Sequence, residues 1–157
     1  MLMLRTRLVQ AANAATLGGH MYEHWDDSLS LGYPSLDAEH KRLFGIMAEI
    51  KEAVRSQPEA GTARKILEQL VDYRGDDLHA MFHDASRCSL ELALWLQEHR
   101  AEHNYLADRA RAFLAFSGGD ERTQLRDLYF FLSGWLRDHI ESNQRALEVL
   151  LSKGLHE

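Results

Sequence analysis

The stretch 95-WLQEHRAEHNYL-106 sets two histidines, His99 and His103, four residues apart in a run that reads as helical. Residues i and i+4 of an α-helix lie one above the other on one face. Both imidazoles therefore aim at the same side, and Leu92, Leu96 and Leu106 mark that side as apolar. A solitary histidine on an apolar face is usually a hydrogen-bonded core or boundary residue. A pair asks whether other helices send histidines to the same place.

The helix that carries the pair starts after the polar break "DASRCS", with Ser89 as a plausible N-cap, and runs to about Phe116. "SGGDE" then supplies a glycine stop and Asp120 as the next cap. The last helix runs to about Lys153 with Leu125, Leu128, Leu132, Trp135, Leu136, Leu147 and Leu150 on its stripe. His139 lies on that stripe. Upstream, Leu43, Phe44, Met47, Ile50 and Val54 repeat at helical spacing from about Leu36 to Ser56, with Ser35 or Asp37 as the cap, and His40 stands one turn before Leu43. After the break "SQPEAGT", a further helix runs from about Thr62 to Ala85 and carries a second i, i+4 pair, His79 and His83. No β-alternation of useful length appears. Four helices with short connections predict an all-α, antiparallel up-down-up-down bundle. It is preceded by an irregular N-terminal arm, "WDDSLSLGYPSLD". Residues 1–20 carry Arg5 and Arg7 but no acid, and read as a flexible extension separate from a domain over 21–157.

Bulk properties narrow the function. The chain has 157 residues, the size of one domain, and 45% apolar residues, enough to bury a core. A net charge of −6 without a Lys/Arg block argues against nucleic acid. No apolar run approaches the roughly 18 residues that span a bilayer. The single cysteine, Cys88, excludes an internal disulfide framework and fits a reducing compartment, so a cytoplasmic protein is expected. An exposed member of the cluster Tyr129, Phe130 and Phe131 would point to a homodimer.

Nine histidines are many for such a domain, and six of them are distributed over the four helices. Buried imidazoles need partners. Six in one bundle core are best satisfied by metal, and imidazole suits iron, zinc and copper. The candidate ligands are His40, His79, His83, His99, His103 and His139.

These residues resemble the hemerythrin family in its bacterial form. "WDDSLSLGYPSLDAEHKRLF" is similar to the family's tryptophan arm leading into an Asp-x-x-His helix, His99-x3-His103 to its third-helix pair, and "WLRDHI" (135–140) to its fourth-helix motif. The resemblance covers about residues 22–152. It implies a four-helix bundle holding two non-heme irons through five histidines and two bridging carboxylates, with O2 or another small diatomic ligand at an open position. Carried over, His99, His103 and His139 hold one metal, and His40 with a second-helix histidine holds the other. Both bridging positions differ here. The best second-helix match, "HAMFHD" (79–84), has His83 at the glutamate position, and the fourth-helix aspartate is replaced by Gln144. Asp76, one turn before His79, and Gln144 are therefore additional candidates. An alternative register from Tyr73 puts Asp77 and Met81 at the second-helix positions instead. Without the two carboxylates the core carries about two more units of uncompensated charge. This favours a lower oxidation state, a single metal, or zinc or copper. The expected activity is binding, in O2 storage or sensing, and not catalysis, since no general base or substrate pocket is legible.

Overall fold

The computed structural model describes residues 23–72, 90–116 and 119–154. Among these are four α-helices and no strand: α1 (Pro34–Arg55), α2 (Thr62–Val71), α3 (Leu90–Ala115) and α4 (Glu121–Gly154). A single 3-10 turn, Asp27–Leu29, lies in the N-terminal arm. No helix among the described residues is long and apolar enough to cross a membrane.

Local chemistry sets the helix ends. Proline stands at the first turn of α1, where its missing N–H costs nothing and its fixed φ suits the helix. Tyr33 is the N-cap and makes no side-chain capping bond, so neither Ser35 nor Asp37 caps the helix as the sequence suggests. Asp37 instead reaches back to the arm, where its Oδ1 accepts the N–H of Leu31 at 2.8 Å and its Oδ2 accepts the Ser30 hydroxyl. Between them Gly32 adopts φ +78°, a left-handed turn that favours glycine. Asp120 caps α4 as expected: its Oδ2 accepts from Thr123 N. The first residue of α4, Glu121, adds a tie the sequence does not announce. Its carboxylate accepts the N–H groups of Gly61 (2.8 Å) and Ala63 (3.0 Å), placing a negative charge at the positive end of α2.

Each helix buries one stripe. In α4 this is Leu125, Leu128, Leu132, Trp135, Leu136, Ile140 and Leu147, the three-and-four spacing of a core-facing helix. Leu36, Leu43, Met47 and Ile50 do the same in α1, and Ile66, Leu67 and Leu70 in α2. α1 packs chiefly against α4, and α2 against α3. Trp25 of the arm meets Phe44 edge-on at 6.0 Å, and Lys41 lies over the indole ring. Of the aromatic cluster, Phe130 is exposed, while Tyr129 and Phe131 are half-buried against the core.

Candidate metal centre

The apolar interior is divided into two clusters. The larger contains Leu43, Leu106, Leu136 and Ile140, and the smaller contains Leu36, Trp95, Leu96 and Leu147. The three long helices each cross from one cluster to the other, and each places histidine at the crossing. In α1 it is His40, between Leu36 and Leu43. In α3 it is His99 and His103, between Leu96 and Leu106. In α4 it is His139, between Leu136 and Leu147. The helical repeat that builds the core thus brings four imidazoles to one level. They are 0–3% exposed, sealed from water by the apolar layers on both sides.

The rings converge through their Nε2 atoms. His103 Nε2 lies 3.0 Å from both His99 Nε2 and His139 Nε2, and His139 Nε2 lies 3.1 Å from His40 Nε2. One ligand atom from each of the four residues falls within 4.8 Å of all the others. Nitrogens about 2.0–2.1 Å from a tetrahedral zinc ion sit about 3.3 Å apart, and the three contacts that link the four rings come close to that spacing. Two tryptophans wall the group. Trp135 stacks on His139 at 4.5 Å with 12° between the planes, and Trp95 lies 5.2 Å from His99.

Burial sets the charge of these groups. It holds His40 down to about 3 and His103 and His139 well below the usual imidazole value, with neighbouring histidines adding to the effect, and it holds His99 to about 4 against an opposing hydrogen bond with Asn143. All four are neutral at pH 7, the form in which imidazole nitrogen is a ligand. The donor set fits a transition-metal cation: four neutral, soft-to-borderline nitrogens facing one point. It fits an empty apolar core poorly, because His40 Nδ1 finds no hydrogen-bond partner among the described residues. Burying such an atom is costly unless something offsets it.

One carboxylate reaches the cluster from outside the predicted set. Glu102 accepts from His139 Nδ1 and from Asn143 Nδ2 (2.9 Å). The same Asn143 nitrogen donates to the His139 carbonyl at 2.7 Å. Burial pushes the Glu102 carboxyl up to about 7, against the opposing hydrogen bond from Asn143. Glu39, next to His40 in the chain, is also a buried carboxyl, where Glu102 is half-buried.

Of the candidates named from sequence, the structure brings together His40, His99, His103 and His139. The resemblance assigns His40 to a second metal; here its Nε2 lies 3.1 Å from that of His139, and it offers a ligand atom within 4.8 Å of those of the other three. Gln144 lies apart from them. Its Nε2 donates to the Ser28 carbonyl at 2.8 Å and fastens the N-terminal arm to α4, while Asn143, four residues after His139, takes the core-facing position. His79, His83 and Asp76, with the alternative Asp77 and Met81, lie outside the described residues.

Comparison with known proteins agrees with this architecture. The family described as "Hemerythrin HHE cation binding domain" matches residues 31–148. A bacteriohemerythrin of Clostridium acetobutylicum is 22% identical over 125 residues, covering 77% of this chain and 95% of the relative. A bacteriohemerythrin of Stenotrophomonas maltophilia is 23% identical over 122 residues, 78% of this chain and 76% of the relative. No solved structure matches the chain. A bundle with histidines on α1, α3 and α4 at the family's spacing, matched by the family over most of its length, identifies this chain as a member of the hemerythrin family.

Proposed function

We propose that the protein is a metal-binding module that holds one transition-metal ion through Nε2 of His40, His99, His103 and His139. The observation that carries this is the convergence of four buried, neutral imidazoles, linked by three Nε2 contacts of 3.0–3.1 Å and with ligand atoms all within 4.8 Å of one another. Iron is the first candidate, because hemerythrin-type domains typically take it. Iron commonly accepts more than four donors, so four imidazoles leave room for a small diatomic ligand such as O2. This supports a binding or sensing role in place of turnover. The two-iron arrangement needs carboxylates between the metals. Among the described residues, Gln144 stands at one such position and faces the arm.

A second reading is favoured by the spacing itself. Four nitrogens, three of whose separations are close to the tetrahedral value, would complete the shell of zinc and make the centre structural and closed to O2. One experiment separates the two. Metal-free protein is titrated with Fe(II) under anaerobic conditions, and separately with Zn(II), and thermal unfolding is followed. A ligand at about 1,000 times its Kd stabilises by about 4 kcal/mol. For a domain of this size that raises Tm by about 8–16 °C. The Fe(II) form is then exposed to O2 or nitric oxide. A change in its visible spectrum supports diatomic binding, and an unchanged spectrum supports the closed centre. No thermal shift with either metal would contradict both.

A further inference from the structure

We infer that Glu102, braced by Asn143, is the positioning residue of this centre: it fixes the proton of His139 on Nδ1, aims the Nε2 lone pair at the ion, and places a negative charge one residue removed from it. This deepens the proposed metal-binding role and rests on it.

The hydrogen-bond count requires the assignment. An asparagine amide has two protons to give. Asn143 uses them on Glu102 Oε2 (2.9 Å) and on the His139 carbonyl (2.7 Å). Its 3.3 Å approach to His139 Nδ1 therefore carries no further proton. Nδ1 is left with Glu102 as its partner. When Glu102 is ionised it accepts and Nδ1 donates, so the ring is held as the tautomer whose free lone pair is on Nε2. That lone pair points at the Nε2 atoms of His40 and His103. His40 Nδ1 has no such support among the described residues, whereas the His139 ring is fixed in orientation by Glu102.

The charge balance points the same way. Four neutral imidazoles bring no charge to a divalent cation, and uncompensated charge in a buried core is costly. A carboxylate on the far nitrogen of a ligating histidine raises the basicity of the ring and offsets part of that charge. Glu102 is half-buried at the edge of the layer, so it does this without entering the donor set.

The test uses the full chain and two measurements. The first is Zn(II) affinity by competition with a chromophoric chelator, for the wild type and for Glu102→Gln, which keeps the shape and removes the charge. The expected result is a 10- to 100-fold weaker affinity, with Tm of the metal-free protein within about 4 °C of the wild type. The second is the tautomer of His139 in the metal-free wild type, read from long-range proton–nitrogen NMR correlations at a pH high enough to ionise Glu102. The expected state is protonated Nδ1. Wild-type binding with Glu102→Gln within two-fold of it overturns the inference and leaves the four-histidine site standing. A His139 protonated on Nε2 also overturns it, whether or not the variant folds. Failure of the wild type to bind Zn(II), Fe(II) or Co(II) removes the site and the inference together.

Discussion

Metal-free protein taken from pH 7 to pH 4 is expected to unfold, with its midpoint between pH 4 and 6. In the folded chain, burial holds His40 at about 3, His99 at about 4, and His103 and His139 well below the ordinary value. In the unfolded chain each returns to about 6.5. Between pH 6.5 and 4 the unfolded chain therefore binds more protons, and acid draws the equilibrium toward it. Glu102 works in the other direction. Its raised value, about 7, gives stability that is fully present below the unfolded carboxyl range and is lost as pH rises through 7. One of the four histidine contributions is thus offset in this window. Three net protons at about 1.4 kcal/mol each per pH unit give a limiting slope of about 4 kcal/mol per unit. Two to three units of that remove about 8–12 kcal/mol, most or all of the roughly 5–15 kcal/mol by which a domain is stable. Circular dichroism of chelator-treated protein against pH gives the midpoint. Saturation with metal should move it lower, since protons and the ion compete for the same nitrogens. A metal-free fold that is intact at pH 4 would show that the imidazoles are not buried as described.

His103→Leu is expected to weaken metal binding by about 10²–10³-fold. Structural zinc sites are worth roughly 10–16 kcal/mol, or about 3–4 kcal/mol for each of four ligands. His103 is the ring whose Nε2 touches two others at 3.0 Å, so its loss removes the donor at the centre of the group. Leucine is apolar and of similar bulk, and leucines already occupy the adjoining layers. The variant should therefore fold, and its acid transition should be shallower by about one proton. Zn(II) competition and the pH titration check the two parts on the same sample. An unchanged affinity would place the ion elsewhere in the chain.

The helices and the four converging histidines were legible because both follow one rule. Residues at three- and four-residue spacing share a face, and His40, His99, His103 and His139 sit on the apolar stripes of their helices. Family motifs then gave the order of the elements. The meeting of His40 with the other three at one point was not legible. Spacing fixes the face a side chain occupies, but the level at which helices pack depends on where the two apolar clusters divide, and that division exists only in three dimensions. Glu102 was missed for a related reason. Between Arg100 and His103 it looks like a charge on a solvated face, and its role depends on a ring 37 residues away. Its position three residues after His99 was a local signal that it flanks the histidine face. The bond that turns Gln144 toward Ser28 spans 116 residues of chain and leaves no pattern in either segment.

The central claim, one ion held by four imidazoles, is tested most directly by metal stoichiometry. The full chain is purified without a metal-affinity column, loaded with Fe(II) or Zn(II), desalted, and measured by plasma mass spectrometry against protein concentration. The account predicts about one ion per chain, lost in the His103→Leu variant. About two ions per chain would contradict it and restore a two-metal centre, and no retained ion would remove the metal function altogether.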